Sequence, residues 1–166
     1  RLHCIQDHFC SNMFLLESIV QVARDIKSTL HSKCLEMLCN VSRLPGNTAM
    51  MTRFPGMIDT LVGAGSSKES MDRIWALRTL QNLTSDASSK APLATSTLLT
   101  LLINCVTSRN TDEQHAAMAT LLNLSTDPSA VVPITSTKNV LATLVYLAHN
   151  SDSTSEIRLM ACNALA

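Results

Sequence analysis

The chain holds 166 residues, room for about one ordinary domain, with 46% hydrophobic, 16% charged and only 3% aromatic residues. That balance excludes a disordered tail and demands a core of Leu, Ala, Val, Ile and Met, which suits close helix-on-helix packing better than a β-sandwich. Lys plus Arg equals Asp plus Glu at 13 each, so the net charge is zero and the basic excess of a nucleic-acid or anionic-membrane binder is missing.

In chain order, His3, Cys4, His8 and Cys10 come first; they lack the paired spacing of a structural zinc site and read as the edge of a short helix. Residues 13–23 form an apolar-periodic helix. A longer helix ends in Cys34, Leu35, Glu36, Met37, Leu38, Cys39, Asn40, Val41 and Ser42. Met51 marks a short helix, and Pro55 with Gly56 breaks the chain before a helix over 57–62 that carries Leu61. Ser66-x-x-Glu69 reads as a capping box. The helix it opens ends in Trp75, Ala76, Leu77, Arg78, Thr79, Leu80, Gln81, Asn82, Leu83 and Thr84.

The same order then recurs. Pro92 and Leu93 mark a short helix, Leu102 a helix over 98–103, and Thr111-x-x-Gln114 a second box. A long helix follows, ending in Ala117, Met118, Ala119, Thr120, Leu121, Leu122, Asn123, Leu124 and Ser125. Pro133 and Ile134, Leu144 in 140–145 and the box Ser153-x-x-Glu156 repeat the order again. Ala161, Cys162, Asn163, Ala164 and Leu165 begin a further copy. Pro92 and Pro133 are expected in the first turns of their helices, where a missing N–H costs little. No stretch alternates with period two, so no strand is predicted.

Aligned without gaps, the long-helix endings share one pattern: small, apolar, x, x, Leu, x, Asn, Leu or Val, Ser or Thr. Asn40, Asn82 and Asn123 stand 42 and 41 residues apart, and Leu61, Leu102 and Leu144 stand 41 and 42 apart. Met51, Leu93 and Ile134 each follow the Asn by eleven. A fixed period of this size marks stacked units that share a continuous core. One domain of approximate repeats 1–43, 44–85, 86–126 and 127–166 is expected, the last incomplete. The apolar stripe still runs at the final residue, where repeat arrays ordinarily carry a polar cap, so a longer parent protein or self-association through the open ends is expected.

At 100° per residue, Ala76, Leu77, Leu80 and Leu83 share one side of their helix and face the core. Trp75, Arg78, Asn82 and Ser85 share the other. The matching outward sets are Lys33, Glu36, Asn40 and Arg43; Ala116, Ala119, Asn123 and Thr126; and, in the partial copy, Met160 and Asn163.

A three-helix repeat of 41–42 residues with these endings resembles the armadillo family, over nearly the whole chain. HEAT repeats have a related period, about 40–47 residues, but usually two helices and no fixed Asn. The resemblance implies an all-α, right-handed α-solenoid (an α-α superhelix) whose third helices line a concave groove. It also implies that the repeated Asn holds the main chain of an extended peptide. An Asn amide offers donor and acceptor together, as a peptide bond does, and neighbouring side chains then supply specificity. The nuclear-import adaptors of that family carry a Trp one turn before the Asn, where this chain has Glu36, Arg78 and Ala119. With Lys33, Arg43 and Arg78 against Glu36, the groove is slightly basic.

The function expected is a non-catalytic scaffold or adaptor that binds an extended protein segment in the groove. The groove residues are Lys33, Glu36, Asn40, Arg43, Trp75, Arg78, Asn82, Ser85, Ala119, Asn123 and Thr126. The alternative is a chaperone cofactor or regulatory subunit that grips a folded partner by an edge or the convex face. No phosphate-binding Gly-rich loop, nucleophile elbow or HExxH pattern is present, so neither catalysis nor a cofactor or metal is expected. The six cysteines are scattered through apolar runs, with Cys34 and Cys162 on core stripes, and point to cytosol or nucleus rather than a disulfide scaffold. The longest apolar run, 98–105, is interrupted by Thr100 and Asn104 and falls short of a membrane span. Asn40, Asn82 and Asn123 also match glycosylation sequons, which recur here because the repeat recurs.

Overall fold

The structure, a computed structural model, describes residues 13–166. The metal reading at His3, Cys4, His8 and Cys10 lies outside them. The described residues are all helical, with no strand. The chain divides into two compact units, Arg1–Ser89 and Lys90–Ala166.

In the first unit, α1 (Met13–Arg24) and α2 (His31–Ser42) precede α3 (Pro45–Arg53), α4 (Met57–Gly65) and α5 (Ser70–Thr84). Helix α5 packs against α2, α3 and α4, and α1 against α2 and α4. The aliphatic positions that recur at helical spacing make the core: Leu16, Leu35, Leu38, Met51, Leu61, Leu77, Leu80 and Leu83 are fully buried. Each such side chain contributes on the order of 1.5–3 kcal/mol by leaving water. Because α5 is covered on more than one flank, polar groups are buried too. Thr79 donates to the Trp75 carbonyl at 2.7 Å, and Asp72 accepts hydroxyls from Ser32 of α2 and from Ser67.

Helix α6 (Ala87–Leu93) spans the division. The second unit continues with α7 (Ser96–Val106), α8 (Thr111–Ser125), a 3-10 turn (Pro128–Ala130), α9 (Val131–Ser136), α10 (Val140–His149) and α11 (Ser155–Leu165). Helix α8 packs against α7 and α11, and α10 against α7, α9 and α11. Leu93, Leu98, Leu102, Ala117, Leu121, Leu124, Leu144 and Ala161 are buried. The helix contacts within each unit are compatible with a helical repeat. No single helix among the described residues is long and apolar enough to cross a membrane.

Several local expectations are corrected. None of the three capping boxes forms: the N-caps of α5, α8 and α11 are Glu69, Asn110 and Thr154. The Asn110 side chain takes the N–H groups of Asp112 and Glu113, the Thr154 hydroxyl takes that of Ile157, and Glu69 makes no side-chain cap bond. Pro92 sits near the end of α6 rather than in its first turn. Helical structure resumes five residues after each Asn, at Pro45, Ala87 and, as the 3-10 turn, Pro128, while Pro133 lies in the first turn of α9 as expected. Cys34 is buried as expected, but Cys162 is exposed, because the stripe of α11 runs through Ile157 and Ala161 and the next residue is turned 100° away from it. Ala116 is buried, not outward, since the buried arc of α8 extends from Glu113 through Ala116 and Ala117 to Thr120.

Candidate functional site

In the first unit the outward sets of α2 and α5 meet. Asn40 and Arg43 from α2 and its C-cap, and Trp75, Arg78 and Asn82 from α5, line one hollow of about 260 Å³ with Cys39 and Gln81. The packing of α5 on α2 brings them together, and the helical repeat of 3.6 residues puts Trp75, Arg78 and Asn82 on consecutive turns of one face. Asn40, Arg43 and Arg78 are exposed, while Trp75 and Asn82 are half-buried.

The hollow is cationic. The Arg78 guanidinium lies over the Trp75 ring, 5.9 Å from its centroid, within the range where the ring quadrupole attracts a cation. The Arg43 guanidinium makes no hydrogen bond or ion pair with another described residue. Lys33 and Glu36 neutralise each other through a 2.8 Å ion pair, so no unpaired acid stands on this face of α2. Burial pushes the Cys39 thiol up, opposed by a hydrogen bond with Thr79 and by the charges of Arg78 and Arg43. Burial wins, so Cys39 stays a thiol at neutral pH and is no activated nucleophile.

The repeated Asn does two different things in this unit. Asn40 is exposed and its amide has no partner among the described residues. Asn82 reaches across one repeat: its Nδ2 donates to Ser42 Oγ at 2.9 Å and lies 3.5 Å from the Cys39 carbonyl. The motif's hydroxyl residue is structural as well. Ser42, Thr84 and Ser125 each donate to the carbonyl three residues back. Ser85 likewise closes the last turn of α5 on the Asn82 carbonyl at 2.6 Å.

In the second unit Ala119 and Asn123 are half-buried on α8, and Thr126 is exposed at its C-cap. Thr126 donates to the Asn123 carbonyl at 2.8 Å and accepts the Lys90 ammonium. Met160 is half-buried and Asn163 exposed on α11. Sequence reasoning missed Cys39 and Gln81. Each precedes a repeated Asn by one residue and so lies just beyond the edge of the outward arc, where the helices α2 and α5 close on each other.

No family model matches the chain, and no curated protein matches it in sequence. Its fold resembles two crystal structures of engineered proteins from the Northeast Structural Genomics Consortium. One aligns over 91% of this chain with a TM-score of 0.77 at 22% identity, the other over 90% with a TM-score of 0.78 at 23% identity. The chain spans 61% and 36% of those two proteins. At such identity the likeness is one of fold.

Proposed function

We propose that this is an armadillo-type helical repeat chain that acts without catalysis, as a scaffold or adaptor for another protein. The face of α2 and α5 takes an extended segment of that partner. The observation that carries the reading is the hollow itself: five residues selected by helical position alone, Asn40, Arg43, Trp75, Arg78 and Asn82, line one recess. Trp and Arg dominate interface energetics, and an exposed Asn amide can pair with a main chain through donor and acceptor together. The 41–42-residue period of the sequence and the three-helix order from α3 onward support the armadillo type.

The test compares proteins captured from a cytosolic lysate by the wild-type chain and by an Asn40→Ala, Arg78→Glu variant, with circular dichroism as the control for folding. Overlapping fifteen-residue peptides of each captured protein are then scanned for binding. The reading expects a partner lost by the variant and reproduced by one linear peptide. A partner that both chains keep sinks it.

A second reading has its own observation. On α9, α10 and α11 the side chains of Val131, Val132, Leu141, Val145, Tyr146 and Leu159 are exposed, the kind of apolar surface that grips a folded partner. It expects binding to survive the α2/α5 variant and fail with Tyr146→Ser and Leu159→Ser.

A further inference from the structure

We propose that the chain associates head to tail with a second copy of itself, helix α2 of one copy seating on helix α11 of the other. The inference goes beyond the scaffold reading and does not depend on what the α2/α5 hollow binds.

The helices that carry the repeated ending stack in one register inside each unit. Helix α5 packs on α2, and α11 packs on α8. Asn82 of α5 answers to Asn40 of α2, and Ala161 of α11 to Ala117 of α8, both of these alanines being fully buried. Each joint holds a polar pair near the helix starts. Asp72 of α5 accepts the Ser32 hydroxyl of α2, and Glu156 of α11 lies 3.0 Å from His115 of α8. A little further along, Thr79 of α5 hydrogen-bonds Cys39 of α2.

Helices α2 and α11 each leave one such face uncovered, and both faces are apolar. Leu30, the N-cap of α2, stands in the register of Asp72, Glu113 and Ile157. Those three are buried, whereas Leu30 is 58% exposed. Met37 stands in the register of Thr79 and Thr120, which are fully buried, and is 41% exposed. On α11 the opposite side is open. Cys162 and Leu165 are exposed where α8 buries Met118 and Leu121. Leu159, in the register of Ser32 and His115, is 61% exposed.

The two faces fit each other. Where Ser32 meets Asp72 at the α2/α5 joint, the same joint between two copies brings Leu159 of one against Leu30 of the other. A polar pair is replaced on both sides at once, so no polar group is stranded and two aliphatic side chains leave water together. An uncovered face of a repeat stack is ordinarily polar, which keeps it from stacking further. The net charge of zero sets no long-range repulsion between copies. Because unlike faces meet, the contact is heterologous: a pair keeps one unused face of each kind, and addition continues past two.

Sedimentation in reducing buffer reads the mass. The wild-type chain is expected to grow past the dimer as concentration rises. Leu30→Glu disables the α2 face and Leu159→Glu the α11 face, because each buries an unpaired carboxylate in the joint. Both side chains are exposed in the single chain, so the helical circular dichroism is expected to be unchanged. Each variant alone is expected to stay monomeric. Their equal mixture is expected to form a dimer and stop there, since one intact face of each kind remains. A wild-type chain that is monomeric at every concentration overturns the proposal, whatever other protein covers either face. Self-association of one variant alone, the mark of a two-fold contact between like faces, overturns it too. So does a mixture that stays monomeric.

Discussion

Asn82 of α5 donates through Nδ2 to the Ser42 hydroxyl of α2 at 2.9 Å, two residues that lie 40 apart in sequence. The bond gives this repeated Asn a structural duty that Asn40 does not have, since the Asn40 amide is exposed and unpartnered among the described residues. The two are therefore separable by mutation. Asn82→Ala is expected to cost about 1 kcal/mol of stability, the net worth of a neutral hydrogen bond. Asn40→Ala is expected to leave the urea midpoint within about 0.5 kcal/mol, as an exposed substitution does, while weakening peptide binding. Equal losses of stability in the two variants would show that the hydrogen bond across the repeat contributes nothing.

A second lock between the same helices is buried. His31 Nε2 stands 3.3 Å from Asp72 Oδ2, both side chains are almost wholly enclosed, and neither ring nitrogen makes a well-aligned hydrogen bond. Asp72 also receives the hydroxyls of Ser32 and Ser67. Removing the acid alone leaves the buried His31 ring without its one close polar partner, while the Ser32 and Ser67 hydroxyls can turn to water. Asp72→Ala is expected to cost about 3 kcal/mol or more, the range for breaking a buried pair from one side. Replacing both partners, as His31→Leu with Asp72→Leu, is expected to recover much of that loss, because an apolar pair of similar volume needs no partner. Urea unfolding of the single and double variants at one fixed pH decides it: a double variant as unstable as Asp72→Ala refutes the pair as the source of the loss.

The buried acids also mark where sequence reading stops. Leu61, Leu102 and Leu144 were legible because a buried aliphatic residue at fixed spacing has one cheap explanation, and all three are buried. Trp75, Arg78 and Asn82 were legible as one face because helix geometry alone sets their angle. Asp72 and Glu113 were not, since hydropathy assigns an acid to water, yet both are buried in α5 and α8. Their signal was a spacing: Ser67 to Asp72 and Ser108 to Glu113 recur 41 residues apart, and each serine donates to its acid. The capping boxes failed for a related reason. Ser66, Thr111 and Ser153 matched the box by letter, but the helix start follows from how far the third helix is packed. Asn110 and Thr154, next to the last two, hold the position from which a side chain reaches the free N–H groups.

Two short-helix starts repeat one device, with a pH signature. Asp86 accepts the Ser88 N–H at 3.0 Å and Asp127 the Ser129 N–H at 2.8 Å. The Asp86 carboxyl is held below its usual range by that N–H and by the Thr48 hydroxyl; the Asp127 carboxyl is held down by the Ser129 hydroxyl and N–H. Both groups bind protons less readily folded than unfolded. Their stabilisation is thus complete above the ordinary carboxylate value and is lost as pH falls below about 4 toward the lowered folded values. Asn at both positions keeps the acceptor oxygen but cannot titrate. An Asp86→Asn, Asp127→Asn chain is expected to lose less stability between pH 5 and pH 3 than wild type, by urea midpoints at each pH. An equal acid loss in both chains would refute the assignment.

The turn into α4 is held by a left-handed Gly56, φ 76°, whose carbonyl accepts Arg24 Nη2 at 3.3 Å. Any Cβ at Gly56 would come within 2.3 Å of that Nη2. Two penalties follow for Gly56→Ala: the left-handed backbone, about 1–2 kcal/mol for an L side chain, and displacement of Arg24. The second is relievable, because the end of an arginine can swing aside. Arg24→Ala with Gly56→Ala is therefore expected to relieve the clash and keep the strain. Asn139 supplies an internal comparison, since it enters α10 with φ 68° in the position Gly56 holds before α4. Asn tolerates that region better than Ala. Gly56→Asn is accordingly expected to melt above Gly56→Ala, and Asn139→Ala below wild type. Thermal melts of these variants separate the terms: a Gly56→Ala chain as stable as wild type would mean that the turn has another conformation open to it.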